Sequence, residues 1–138
     1  MYRRKIAAEV IKRIKGRRIF IQVLAGPRQT GKTTIARQVI KAAGLSARYA
    51  SADEPVLKNT VWIEEQWQAA RIKAGKIGKK TLLVLDEIQK IPNWSERVKQ
   101  LWDEDSAHGL ALQVIILGSS PLLLQRGLGE SLAGRFEI

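Results

Sequence analysis

Gly26-Pro27-Arg28-Gln29-Thr30-Gly31-Lys32-Thr33 matches the pattern G-x-x-x-x-G-K-[ST], between an apolar run at residues 19–24 and a run with helical spacing. This pattern is typical of a loop whose backbone N–H groups surround phosphates, a conformation that needs the freedom of glycine. In such a loop Lys32 reaches the β- and γ-phosphates, Thr33 offers its hydroxyl to Mg²⁺, and the following helix adds a favourable dipole. The stretch predicts a strand, a loop and a helix that bind a nucleoside triphosphate.

A second motif lies 54 positions after Lys32, where the apolar run 82–85 ends in Asp86-Glu87. In a parallel sheet such a strand delivers its acids to the carboxyl edge, where the phosphate loop also opens. Asp86 is the candidate ligand for Mg²⁺, directly or through water. Glu87 is the candidate group that polarises an attacking water. Together the two motifs predict nucleotide hydrolysis.

Apolar periodicity predicts alternating strands and helices. We expect strands at residues 19–24, 48–52, 81–85 and 113–117 and a fifth from 135, and helices at 32–43, 60–74, from about 94, and briefly at 121–126. The alternation predicts an α/β fold with a mostly parallel sheet covered on both faces. Gly75 is expected to follow the end of its helix, and Asn93 with Glu96 resembles a capping box.

Composition restricts the class of protein. A chain of 138 residues that is 45% hydrophobic can bury one core, so one domain is expected. The absence of cysteine excludes disulfides, thiolate metal sites and cysteine nucleophiles. Apolar stretches such as residues 114–117 are too short to span a bilayer, and residues 1–5 lead into no signal-peptide core. No membrane association and a cytoplasmic location are expected.

The net charge of +11 is concentrated near the start of the chain. Residues 1–48 hold thirteen Lys and Arg against the single acid Glu9, whereas residues 49–138 hold eleven against twelve acids. Residues 1–16 predict a basic amphipathic helix with Ile6, Val10 and Ile14 on one face. Two interpretations fit: the helix packs its apolar stripe and solvates its charges, or its basic surface contacts a nucleic acid.

Aromatic and imidazole side chains offer few further candidates. Trp67, Trp94 and Trp102 fall on apolar helical faces and are expected in the core. Trp62 lies off that stripe beside two acids, so it is the tryptophan predicted to contact a partner. His108 precedes a glycine in a turn-like stretch and is expected to be solvated.

Four ordered segments resemble a prokaryotic AAA-type ATPase family. They are Gly26-Pro27-Arg28-Gln29-Thr30-Gly31-Lys32-Thr33-Thr34, LDEIQKIPNW at 85–94, Gly118-Ser119-Ser120, and Ser131-Leu132-Ala133-Gly134-Arg135. The resemblance covers nearly the whole chain, and the second and fourth segments are more specific than the phosphate loop. It implies a P-loop NTPase fold, a three-layer α/β/α sandwich with a five-stranded sheet in the order 5-1-4-3-2. It also implies ATP as ligand with Mg²⁺, and Glu87 as the catalytic glutamate.

The same resemblance gives roles to two further residues. Ser119, after the fourth strand, takes the place of the polar sensor that orients the γ-phosphate or water; a helix N-cap is the compatible alternative. Arg135 lies where such ATPases often present an arginine to a neighbouring subunit of a homo-oligomer. A structural salt bridge is the alternative for Arg135, and Arg126 is a weaker candidate for the same task.

Family members usually carry a further C-terminal domain, whereas this sequence stops at Glu137-Ile138 inside the expected fifth strand. Residues 1–138 are therefore expected to be an ATPase core without its helical lid, either a fragment or a short homologue. Three hypotheses remain: an ATP hydrolase coupled to DNA or protein remodelling, a nucleotide-dependent nucleic-acid-binding module, and a nucleotide-binding fragment with negligible hydrolysis. A GTPase is disfavoured because no Asn-Lys-x-Asp segment follows, and a small-molecule kinase because no acceptor site is visible.

Overall fold

The computed structural model describes residues 2–15, 21–25, 32–43, 46–52, 59–77, 81–119, 124–126, 129, 132 and 134–137. Helices and strands alternate along them, as predicted. The elements are α1 (Tyr2–Lys15), β1 (Ile21–Ala25), α2 (Lys32–Ala43), β2 (Ser46–Ser51), α3 (Thr60–Ile77), β3 (Thr81–Asp86), a 3₁₀ turn (Ile88–Lys90), α4 (Trp94–Ala107), β4 (Leu112–Gly118) and β5 (Phe136–Glu137).

The strands form one five-stranded sheet in the order β2-β3-β4-β1-β5, and all four pairings are parallel. This is the order 5-1-4-3-2 implied by the resemblance, written from the other edge. Because every strand runs the same way, the carboxyl ends of β1, β2, β3 and β4 meet at one edge of the sheet. Ser51, Asp86 and Leu117 lie side by side there.

Alternate residues of the central strands enter two separate cores, because successive side chains of a strand point to opposite faces. Leu82 and Val84 of β3 pack with Ile115 and Leu117 of β4 under α1 and α2. On the other face Leu83 and Leu85 pack in the core beneath α3 and α4. The domain therefore has three layers, α/β/α, as predicted.

The helix α1 belongs to the fold. Val10 and Ile14 are buried in the same core as Ile35, Ala36 and Val39 of α2. Val10 and Ile14 of the predicted apolar stripe thus pack on the domain, and the exposed side of the helix carries Lys12.

The tryptophan predictions are confirmed for Trp67, Trp94 and Trp102, which are buried in the core beneath α3 and α4. The prediction for Trp62 is wrong, because only 8% of this residue is exposed and it belongs to the same core. Trp62 lies next to the buried Ile63, about 100° away around the helix, so the first turn of α3 buries a wider arc than the later turns. A position off the central stripe was therefore no sign of exposure.

Two predictions about helix ends also differ from the structure. The helix α3 continues through Gly75 to Ile77. Asn93 stands at the N-cap of α4 but makes no side-chain cap hydrogen bond, because its backbone is left-handed, with φ 60° and ψ 25°, instead of extended as in an ordinary N-cap. Of the helix predicted at 121–126, residues 124–126 are helical and 121–123 lie outside the described residues.

A buried polar network joins α3 to α4. Asp105, 2% exposed, accepts hydrogen bonds from Trp67 Nε1 and Arg71 Nε, each over 2.7 Å. Arg71 Nη2 also donates to the carbonyl oxygen of Leu101 over 3.1 Å. Buried polar groups are costly unless they are paired, so these bonds fix how the two helices pack.

Candidate functional site

The candidate site lies at the carboxyl edge of the sheet. The strand β1 ends at Ala25, which is paired with Gly118 of β4, and α2 begins at Lys32. The predicted phosphate loop connects these two ends. Residues 26–31 lie outside the described part of the chain, as do the side chains of Lys32 and Thr33, so their predicted roles stay predictions. Thr34 is exposed in the first turn of α2.

Asp86 is the last residue of β3 and is half-buried. It lies on the same strand face as Leu82 and Val84, the face that α1 and α2 cover. The phenolic O–H of Tyr49 donates to Asp86 Oδ2. Tyr49 is paired with Val84, two residues before Asp86 on the same face, so its ring spans the diagonal between neighbouring strands.

Glu87 follows directly and has an uncommon backbone conformation. Its φ of 60° and ψ of 31° lie in the left-handed region, which few residues other than glycine adopt. The backbone N–H of Glu87 donates to the carbonyl oxygen of Leu117 over 2.8 Å. This bond extends the β3–β4 ladder by one residue and turns the side chain of Glu87 toward the end of β4. Strained conformations of this kind persist where the surrounding structure fixes them, often at functional sites.

The carboxylate of Glu87 is buried, with 4% of the residue exposed. Its Oε2 accepts hydrogen bonds from Ser119 Oγ and from Gln89 Nε2, each over 2.7 Å. Lys90 Nζ lies 3.8 Å from the same oxygen. Burial of a carboxylate requires such donors and opposite charge. The structure thus brings Glu87 and the predicted sensor Ser119 into direct contact.

Gln89 itself is buried in the 3₁₀ turn, with 8% of the residue exposed. Its Oε1 has no hydrogen-bond partner among the described residues. A Cβ at Gly118 would lie 2.8 Å from this oxygen and would overlap the side chain of Leu124. Because residue 118 is a glycine, the end of β4 has room for the Gln89 amide.

Sequence reasoning missed the roles of Tyr49, Gln89 and Lys90. Gln89 and Lys90 follow Glu87 by two and three residues, and such a spacing within a tight turn was the available signal. Tyr49 lies 37 positions before Asp86, and no local pattern joins the two. Only the register of β2 against β3 brings them together.

Arg135 lies where the strands begin, at the end of the sheet opposite to the carboxyl edge that holds Glu87. It precedes β5, and its carbonyl oxygen accepts a hydrogen bond from the N–H of Ile21, the first residue of β1, over 2.8 Å. Its side chain is 34% exposed, and Nε donates to Asp103 Oδ1 of α4 over 2.8 Å. That hydrogen bond raises the pKa of Arg135 above its ordinary value. Arg135 is thus separated from Glu87 of its own chain by the length of the sheet.

The other candidates from the sequence are His108, Arg126 and the capping role of Ser119. His108 is exposed at the end of α4, where its Nδ1 lies 2.8 Å from the carbonyl oxygen of Glu104. Arg126 is exposed in the helical residues 124–126. The alternative capping role of Ser119 involves residues 120–123, which lie outside the described residues. Among the described helices, none is long and apolar enough to cross a membrane.

The sheet order, the α/β/α layers and an Asp-Glu pair at the carboxyl edge define a P-loop NTPase domain. A family model for an AAA domain matches residues 19–138. The chain belongs to this family of AAA-type P-loop ATPases, as the resemblance predicted. A search of curated protein sequences finds no match.

Solved structures show the same fold. The Thermotoga maritima RuvB Holliday junction branch migration motor matches with a TM-score of 0.67 and 21% identity over 99% of this chain and 43% of that chain. A chain of the E. coli MS115-1 HORMA:CdnC:Trip13 complex matches with a TM-score of 0.70 and 13% identity over 98% of this chain and 56% of that one. The chain therefore spans about half the length of these relatives, and at this identity the likeness concerns the fold.

Proposed function

We propose that this domain binds ATP with Mg²⁺ and hydrolyses it. The observation that carries the proposal is the buried carboxylate of Glu87, held at the carboxyl edge beside Asp86. In open α/β sheets ligands bind in the crevice at this edge. A buried acid with its own donors is costly to maintain for stability alone, because apolar residues would pack there as well.

Asp86 and Thr33 are the residues that would hold Mg²⁺. A carboxylate oxygen and a hydroxyl are hard donors that suit this ion, and the ion takes its other ligands from water and phosphates. Within the described residues no cluster of three acidic or imidazole side chains could hold a metal by itself, and a site completed by nucleotide needs none. When bound, Mg²⁺ neutralises charge on the β- and γ-phosphates.

Glu87 is proposed to accept a proton from the attacking water, and Lys32 to bind the β- and γ-phosphates. Ser119 is proposed to hold Glu87 in place by its hydrogen bond. The phosphate loop from Gly26 to Thr34 is proposed to supply backbone N–H donors to the phosphates, with the start of α2 contributing its dipole. In this proposal the loop binds the phosphates, and residues at the ends of β3 and β4 carry out the hydrolytic chemistry.

The test compares the wild type with three variants in Mg²⁺-dependent nucleotide binding and phosphate release. Glu87→Gln should bind Mg-ATP with unchanged affinity and lose turnover, because an amide accepts no proton at neutral pH. Lys32→Ala should lose affinity for ATP. Lys99→Ala, a change to an exposed lysine of α4, is the matched control and should change neither. Wild-type turnover by Glu87→Gln would refute the assignment of Glu87. ATP affinity retained by Lys32→Ala would refute the phosphate loop.

A second function, binding of a nucleic acid, is favoured by the layer formed by α1 and α2. The two helices pack together on one face of the sheet, so their exposed residues form one outer surface. Lys12, Arg37 and Lys41 are exposed on it, and α2 contains no acid. Such a surface attracts phosphate backbones.

The test for this second function is the affinity for duplex DNA as a function of salt. Changing Lys12, Arg37 and Lys41 together to Gln should weaken binding and reduce the slope of log affinity against log salt by about three, one per lost phosphate contact. Changing Lys73, Lys99 and Arg126, which are exposed elsewhere on the domain, to Gln is the control. Equal losses from both sets would refute a specific surface.

A further inference from the structure

We propose that Gln89 is a positioning residue for the hydrolytic reaction: its amide N–H holds one oxygen of Glu87 so that the other oxygen is available to the attacking water. The inference rests on the proposed function, since it assigns Gln89 a part in the chemistry of Glu87. It concerns a residue that touches neither nucleotide nor metal in this assignment and acts through the carboxylate.

Within the described residues, the hydrogen bonds and the ion pair of the Glu87 carboxylate all fall on one atom. Gln89 Nε2 and Ser119 Oγ each donate to Oε2 over 2.7 Å, and Lys90 Nζ is 3.8 Å from it. Within the described residues, Oε1 accepts no hydrogen bond. Two donors from different segments on one oxygen fix the rotation of the carboxylate group, which a single donor would leave free. A base must be held in a defined geometry to act efficiently.

Burial of the Gln89 side chain carries a free-energy cost. Its amide carbonyl has no hydrogen-bond partner among the described residues, and burial of an unpaired carbonyl is unfavourable. A methionine or leucine of similar size would fill the same space without that penalty. The unpaired carbonyl therefore gives no reason for an amide at this position. The N–H bond to Glu87 is what distinguishes Gln89 from an apolar side chain.

The surroundings leave the Gln89 amide little room to move. A Cβ at Gly118 would approach Gln89 Oε1 to 2.8 Å, so the amide is seated against the backbone at the end of β4. The backbone of the 3₁₀ turn is tied back by the N–H of Lys90, which donates to the Glu87 carbonyl oxygen over 3.2 Å. Gln89 is thus a rigid donor, and Ser119 reaches the same oxygen from the neighbouring strand.

The experiment measures steady-state ATP hydrolysis by Gln89→Met, which keeps size and burial and removes the donor. We expect kcat to fall roughly ten- to a hundredfold, the range for a lost hydrogen bond to a charged group, with KM and Mg-ATP affinity unchanged. Gln113→Met is the matched control. Gln113 is also buried, and like the Oε1 of Gln89 its Nε2 has no hydrogen-bond partner among the described residues. It lies at the opposite end of β4, so kcat should be unaffected.

A second variant, Gln89→Glu, separates positioning from structure by its pH profile. The introduced carboxylate repels Glu87 when ionised and can donate a hydrogen bond when protonated. Its kcat relative to wild type should therefore rise as pH is lowered, which a merely structural defect would not produce. This variant also serves if Gln89→Met does not fold, as judged by circular dichroism and urea unfolding.

The outcomes are distinguishable. Wild-type kcat in Gln89→Met, or a raised KM with unchanged kcat, would overturn the role of Gln89 and leave the proposed function intact. A flat ratio of the Gln89→Glu and wild-type profiles would do the same. If wild type binds Mg-ATP but releases no phosphate under any condition, the proposed hydrolysis fails and this role fails with it.

Discussion

Ser119 Oγ donates a hydrogen bond of 2.7 Å to Glu87 Oε2 across the ends of two neighbouring strands. Ser119 follows β4 and Glu87 follows β3, so the parallel pairing of the strands brings the two residues together. The bond joins the candidate base, Glu87, directly to the candidate sensor, Ser119. A movement of the end of β4 would therefore change the position of the Glu87 carboxylate.

The first prediction concerns this bond. Ser119→Ala removes one of two donors to Glu87 Oε2 and should lower kcat for ATP hydrolysis by about tenfold, toward the lower end for a hydrogen bond to a charged group because Gln89 remains. Nucleotide affinity, measured by calorimetry, should stay unchanged. Ser106→Ala is the control, since Ser106 lies near the C-terminal end of α4, where its Oγ donates to the carbonyl oxygen of Trp102. A loss of affinity with kcat preserved would argue that Ser119 acts on the nucleotide instead.

The second prediction concerns Tyr49, whose O–H donates to Asp86 Oδ2. Groups that orient a metal ligand typically contribute ten- to a hundredfold in metal affinity. Tyr49→Phe keeps the ring and should raise the Mg²⁺ concentration for half-maximal hydrolysis by about tenfold, while kcat at saturating Mg²⁺ is preserved. Binding of ATP without Mg²⁺ is the internal control and should not change. An unaltered Mg²⁺ dependence would mean that the bond plays no part in the metal site.

The third prediction uses two glycines. Alanine at Gly118 would push against the Leu124 side chain and Gln89 Oε1, so Gly118→Ala should destabilise the domain by about 1–3 kcal/mol and lower kcat by displacing Gln89. At Gly129 an added Cβ meets no described residue within 4 Å, so Gly129→Ala should change stability by less than about 0.5 kcal/mol. Urea unfolding and phosphate release measure the two effects. Equal behaviour of the variants would show that the end of β4 can relax.

The sequence predicted the parts of the fold that depend on local pattern. The bounds of α2 follow from a glycine-rich loop and helical spacing, and Asp86 and Glu87 follow from an apolar strand that ends in acids. The sheet order came from the resemblance, since periodicity alone cannot say which strands pair. The signals for α2 and for the Asp-Glu pair are local, because each lies within a few neighbouring residues of the chain.

The remaining features depend on tertiary register. The contact of Tyr49 with Asp86 exists only because β2 pairs with β3 in one register, and a shift by one residue would turn Tyr49 to the other face. Trp62 is buried because the first turn of α3 is covered over a wider arc than its stripe predicted. The left-handed backbone of Glu87 and Asn93 was not predicted from the sequence, because the patterns used there do not report on single backbone angles.

The fourth prediction concerns stability. Asp105→Ala leaves Trp67 Nε1 without its bond and Arg71, 17% exposed, without its buried partner, so the free energy of unfolding should fall by about 3–5 kcal/mol. Glu104→Ala is the control because Glu104 is 55% exposed and contacts the same arginine, and it should cost less than about 1 kcal/mol. Urea unfolding followed by tryptophan fluorescence reports both. A small effect of Asp105→Ala would show that water replaces the carboxylate.

The fifth prediction decides between the two interpretations of Arg135. Arg135 lies at the edge of the sheet opposite Glu87, so it could serve hydrolysis only at the site of another subunit. Arg135→Ala and Asp103→Ala both break the ion pair that joins the residue before β5 to α4, but only the first removes the guanidinium. If Arg135 acts in trans, Arg135→Ala should lower turnover by about 10³-fold or more, whereas Asp103→Ala should keep it.

Mixing two inactive proteins makes this test sharper. Glu87→Gln retains Arg135 but lacks the candidate base, and Arg135→Ala retains the base but lacks the arginine. At an interface where one chain supplies Glu87 and the other supplies Arg135, the mixture should recover hydrolysis, and the recovered rate should rise with total protein concentration because assembly is bimolecular. Equal loss of turnover in Arg135→Ala and Asp103→Ala, with no recovery on mixing, would assign Arg135 to the packing of β5 on α4.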